Sequence, residues 1–95
     1  MSVEIRCVGN RLAVAGCMTL ETAAKLFAEG LAALPEEPLF DLATVTEVDS
    51  SGLAVLFGWM REARSQGKGL RIANMPANLA SLAEVYGVTE LLPLS

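Results

Sequence analysis

Histidine is absent from this 95-residue sequence. With it go the usual general base for a serine or cysteine nucleophile and the commonest metal ligand. Basic residues are few: 7 Lys and Arg stand against 11 Asp and Glu, a formal net charge of −4. That balance argues against nucleic acid, which needs a basic footprint. Long hydrophobic runs are missing as well. The longest uninterrupted one goes from Leu53 to Met60, far short of the ~20 residues of a transmembrane helix, so direct membrane insertion is not expected. Met1–Arg6 has no signal-peptide pattern, and a cytoplasmic location follows as the expectation. Neither G-x-x-x-x-G-K-[ST] nor G-x-G-x-x-G occurs, which leaves a nucleotide site without a motif. The chain is therefore expected to be no enzyme and to hold no metal or cofactor.

The two cysteines, Cys7 and Cys17, are not expected to pair. If Gly9-Asn10 is a hairpin turn, Cys7 faces Leu12, and Cys17 lies on the order of 16 Å away. A disulfide requires Cα atoms roughly 4.4–6.8 Å apart. Both read better as small buried hydrophobes.

What is present is a chain rich in aliphatics: 53% hydrophobic residues with 19% charged and only 5% aromatic. Residues 1–95 suffice for one domain with one core, and the apolar surplus points to a partner surface. Val3–Val8 and Arg11–Ala15, separated by Gly9-Asn10, predict an antiparallel hairpin. Gly16-Cys17-Met18 is expected to leave the sheet. Thr19 is the candidate N-cap of a helix over Leu20–Leu34, with Leu20, Ala23, Ala24, Phe27, Leu31 and Leu34 as its core stripe. Pro35-Glu36-Glu37-Pro38 ends it. Leu39–Val45 reads as a buried strand and Leu53–Ser65 as a helix closed by Gly67. Leu70–Ala73 is a short strand. Pro76 opens a third helix that carries Leu79, Leu82, Ala83 and Tyr86 inward and stops at Gly87. Val88–Leu94 is a tail with room for a short strand. The order β-β-α-β-α-β-α predicts an α/β fold, a mixed sheet with helices packed on it.

The chain is organised around Asp49-Ser50-Ser51-Gly52-Leu53. Asp49, Ser50 and Ser51 sit on the loop that feeds the second helix, where their oxygens can cap free N–H groups. Asp41, Glu47 and Asp49 offer carboxylates for a pair, but strand alternation favours a capping Asp49 and a solvated Glu47. Along the helix, Leu53, Leu56, Phe57 and Met60 share the expected core side. Ser51, Val55, Gly58, Trp59 and Glu62 fall opposite. A tryptophan on an outer stripe is characteristic of interface hot spots, so Asp49, Ser50, Ser51, Gly52, Val55 and Trp59 form the expected partner-binding set. The competing reading is that a neighbouring element covers Trp59. Arg61, Arg64 and Lys68 lie where cations complement the helix dipole.

The element order, the strand Leu39–Val45, and above all Asp49-Ser50-Ser51-Gly52-Leu53 before an aliphatic helix resemble the STAS domain. That family includes anti-anti-sigma factors, sulfate-transporter tails and MlaB-type subunits of lipid-transport ABC complexes. The resemblance implies a docking module. In the anti-anti-sigma branch Ser51 would be the phosphoacceptor of a partner kinase that is also an anti-sigma factor. In the MlaB branch Ser50 would contact the ABC-transporter ATPase subunit. The short chain, the stretch Asp41–Val45 and the ending Leu79–Val88 with Leu91-Leu92-Pro93 are similar to MlaB. Ser50-Ser51, where MlaB commonly has Thr-Gly, follows the sigma-regulator pattern.

Overall fold

The computed structural model describes residues 2–93. Strands β1 (Val3–Val8), β2 (Arg11–Met18), β3 (Leu39–Val48) and β4 (Arg71–Ala73) form one sheet in the order β1-β2-β3-β4. β1 and β2 are the predicted antiparallel hairpin, with Cys7 opposite Leu12. β2, β3 and β4 run parallel. Helices α1 (Ala23–Ala32) and α2 (Ser50–Ser65) are the crossovers between them. Successive right-handed crossovers advancing in one direction put both helices on the same face of the sheet. α3 (Ala77–Val85) packs against α2, and a short 3-10 turn over Thr89–Leu91 follows.

The core lies between that face and the helices. Leu12, Val14, Phe40, Leu42 and Ile72 point into it from the strands, and Leu26, Leu56, Trp59 and Leu79 from the helices. The other face alternates outward with Glu4, Arg6, Arg11 and Arg71 exposed. Asp41 is on that side, 9% exposed. It accepts from the Asn74 amide at 2.9 Å and the Ala43 N–H at 3.0 Å, and it pairs with the Arg11 guanidinium. One carboxylate thus ties β2, β3 and the turn after β4.

Several expectations are corrected. Gly16-Cys17-Met18 stays in the sheet: Cys17 and Met18 pair with Glu47 and Val48, because β3 itself runs on to Val48. Of the two register shifts between β2 and β3, the second falls at Gly16-Cys17, where Gly16 has φ 101°, a conformation closed to most side chains. Cys17 is buried but Cys7 is exposed, near the hairpin end of an edge strand with a neighbour on one side only. α1 starts at Ala23, not Leu20. Residues 19–22 instead fold into a turn closed by Thr22 N–H to Thr19 O at 3.0 Å, while the Thr22 hydroxyl donates to Cys17 O at 2.6 Å. Leu20 is consequently outside the core stripe and 76% exposed, and Leu26 is the fully buried residue of α1. In α3, Leu79 and Ala83 are buried as expected, but Tyr86 is 56% exposed at the helix end. The tail contributes a single β-type bond, Ile72 N–H to Pro93 O at 2.9 Å, and its end at Leu94 lies outside the described residues.

The largest correction concerns Trp59, which is 0% exposed. Its ring stacks on Phe40 at 4.1 Å between centroids and 10° between planes, and its Nε1–H donates to Phe27 O at 3.1 Å. Val55, also expected outside, is 5% exposed. The physical reason is that α2 lies beside α1 on one sheet face, so it buries two flanks rather than one. The close approach depends on two glycines. A Cβ at Gly30 would run into the Trp59 indole, and one at Gly58 would come within 2.6 Å of the Phe27 ring. Each helix places an aromatic ring over the other's glycine.

Trp59→Ala is expected to cost about 3–5 kcal/mol in chemical denaturation. Gly30→Ala reverses the usual sign: helix propensity alone predicts stabilisation of up to ~1 kcal/mol, whereas the clash predicts a loss of about 1–3 kcal/mol. A stabilised Gly30→Ala variant would contradict the packing described.

Candidate docking site

Asp49 is the origin of the site. It is the N-cap of α2 in an extended conformation, and its Oδ1 accepts from the Ser51 N–H at 2.8 Å. Its Oδ2 accepts from the Leu20 N–H at 3.0 Å, and its own N–H donates to Met18 O at 3.2 Å. A single residue therefore joins the end of β2, the 19–22 turn and the first turn of α2. Gly52 completes the junction, since a Cβ there would lie 2.5 Å from Met18 O. Burial pushes the Asp49 carboxyl up, but the N–H groups of Leu20, Ser51 and Gly52 and the Ser51 hydroxyl outweigh it. The carboxyl is held below its ordinary value. Asp41 is lowered too, by the Asn74 amide first and the Ala43 N–H next, against burial, with Arg11 adding.

The helix begins earlier than its apolar pattern suggests. Ser50 and Ser51 are its first two residues rather than loop residues. Ser50 is exposed, Ser51 half-buried and Gly52 buried. From Ser51 a groove of about 380 Å³ runs between α1 and α2 towards Arg61, with Ala23, Ala24 and Ala54 along it and Phe27 over Gly58. Leu20 is exposed and does not line the groove; its N–H is held by the carboxylate of Asp49, which caps α2.

Asp49, Ser50, Ser51 and Gly52 follow one another at the N-terminus of α2. Trp59 is withdrawn into the core, and Val55, although it lines the groove, presents little surface. Glu47 is exposed, and Asp41 and Asp49 have no hydrogen-bond partner in common. The sequence reading missed Leu20 as a surface residue, because its position follows from a bond to a carboxylate 29 positions away. It also missed Ala23 and Ala24 as groove residues, since both fit the inward stripe of a longer helix. Among the described residues no group of three His, Cys, Asp or Glu side chains could hold a metal, and no helix is long and apolar enough to cross a membrane.

The capped strand–helix junction and the groove beside it are formed by β2, the 19–22 turn, α1 and α2. The family model described as "Mlab, STAS domain" matches residues 1–93. The chain belongs to the STAS domain family. Its fold is similar to that of a proposed anti-sigma factor antagonist from Thermotoga maritima, with TM-score 0.77 and 12% identity over 97% of this chain and 84% of the other. It is similar also to the anti-sigma factor antagonist SpoIIAA in its unphosphorylated form, with TM-score 0.74 and 13% identity over 99% and 88% of the two chains. A sulfate transporter family protein from Wolinella succinogenes gives TM-score 0.70 and 16% identity over 96% and 80%. No curated protein sequence matches the chain. At these identities the solved structures speak for the STAS fold, the mixed sheet with helices on it that the sequence predicts.

Asp49→Ala is expected to cost about 1–2 kcal/mol of stability as the cap is lost. Asp49→Asn should fall between, because its amide keeps one acceptor oxygen where the carboxylate uses two. The lowered pKa values of Asp41 and Asp49 set the pH dependence. Their stabilisation is fully present above the unfolded aspartate value of about 3.9. It disappears as pH falls through the lower folded values. An acid titration followed by circular dichroism should therefore show a shallower loss of stability in Asp49→Asn than in the parent.

Proposed function

We propose that this STAS domain is a non-enzymatic docking module, an accessory subunit of an Mla-type phospholipid-transport ABC complex that binds the ATPase subunit. STAS domains act through protein–protein contacts, and the Mlab description of the matching family supports this branch. The observation that carries the reading is the α1–α2 groove lined at its head by Ser51, next in the chain to exposed Ser50, with exposed Leu20 tied by its N–H to the Asp49 cap. Its small side chains leave room for a partner's side chains, and its apolar character favours a dry contact. Trp59 and Phe27 shape this surface from beneath. The contact residues are Leu20, Ser50, Ser51 and Ala54.

A second reading has its own support. Ser51 is half-buried at the first turn of α2 and lines the groove. A phosphate there would add nearly two negative charges to the contact surface, close to the Asp49 carboxylate. The helix N-terminus would offset part of the cost within the domain. An anti-sigma factor antagonist switched by a serine kinase would use that change to release or recruit its partner.

Co-purification with the Mla-type ATPase subunit of the same organism tests the first reading. Leu20→Asp with Ala54→Glu alters two exposed positions and is expected to abolish co-purification while leaving the circular dichroism spectrum unchanged. Undiminished binding would rule the groove out as the docking surface. Incubation with the candidate anti-sigma kinase and ATP, followed by mass spectrometry, tests the second. Phosphate on Ser51 supports it, and its absence removes the switch.

A further inference from the structure

The two edges of the sheet are treated differently. At the β4 edge the strand is only three residues long, and the outward N–H of Ile72 is taken by Pro93 O at 2.9 Å. Short length and a covering segment are ordinary ways of closing an edge to other chains. β1 has neither. It is six residues long, pairs only with β2, and contains no proline or register shift.

The hydrogen-bond phase of the hairpin shows which groups that edge presents. Cys17 N–H donates to Ser2 O at 3.0 Å. By antiparallel alternation, Glu4, Arg6 and Val8 also direct their N–H and C=O groups to β2. Val3, Ile5 and Cys7 are left with theirs facing outward, and among the described residues nothing accepts or fills them. The side chains of Glu4 and Arg6 stand on the uncovered face of the sheet, 68% and 77% exposed, and pair weakly with each other at 3.7 Å.

This arrangement is self-complementary. We propose that β1 is a homodimer edge: a second copy of this chain adds antiparallel to it about a two-fold axis through Ile5, making one continuous sheet. In that register Ile5 faces its own copy and Val3 faces Cys7. Each is a hydrogen-bonded pair that uses the outward main-chain groups. Glu4 then falls opposite Arg6 and Arg6 opposite Glu4, in the closer non-hydrogen-bonded pairs where opposite charges act across strands. A two-fold contact presents the same patch twice and closes on itself. Because the β4 edge is covered, growth stops at two. No residue of β1 lines the α1–α2 groove, so dimerisation and docking are separable.

Sedimentation equilibrium of the full chain from low-micromolar to near-millimolar concentration reads the association. The expected mass at the upper end is twice that of the chain. Arg6→Glu places acid opposite acid at both pairs and is expected to weaken dimerisation roughly tenfold or more. Glu4→Arg does the same with bases. The double exchange Glu4→Arg, Arg6→Glu is expected to restore the parent association, and an equimolar mixture of the two single variants should form a heterodimer. A chain that stays monomeric throughout would overturn the proposal. So would assembly beyond two, single variants that associate like the parent, or a double exchange that fails to recover it.

Discussion

Two aromatic rings and two glycines set the distance between α1 and α2, and much else depends on that distance. Trp59 fills the space over Gly30, lies flat on Phe40 of β3, and satisfies its indole N–H on the Phe27 carbonyl. A buried indole needs such a partner, because an unpaired polar group in the core is costly. Phe27 in turn lies over Gly58. The helices are thereby held close to each other and to the sheet at once. The same contacts leave Ala23, Ala24, Ser51, Ala54 and Gly58 along much of the outer seam, so a groove, not an exposed tryptophan, faces outward.

The head of that groove depends on a second, polar junction. Asp49 caps α2, holds the 19–22 turn through Leu20, and hangs from the end of β2 through Met18 O. Gly52 lets the helix come close enough for these bonds to form together. Ser50 and Ser51 therefore stand on the first turn of a capped helix, and Ser51 lines the groove. The Asp41 cluster on the opposite sheet face plays a comparable part for β2, β3 and the turn after β4.

Local signals carried the fold a long way. The Gly9-Asn10 hairpin, the Asp49 cap and the helix stops at Gly67 and Gly87 are written in residue types whose backbone preferences act over a few positions. Periodicity identified Leu56, Leu79 and Ala83 as core residues. It failed where a helix has more than one buried flank. For α2 the pattern of alternating faces was sound, but a helix wedged between a sheet and a neighbour has no apolar side left over for solvent. It failed again at Leu20, which matches the α1 stripe in spacing but is drawn into a turn by a carboxylate distant in sequence.

Composition and pattern by themselves determined the fold class of this protein: a mixed sheet with helices packed on it. They also determined that Asp49 would cap a helix beside two serines, because capping is a contact between near neighbours in the chain. Only the tertiary structure decided which surfaces are free. It put Trp59 inside and Leu20 outside, extended β2 and β3 to Met18 and Val48, covered one sheet edge and left the other open. Each of those outcomes turns on what lies next to a residue in space, and side-chain order along a single chain carries no record of that until the helices and strands have met.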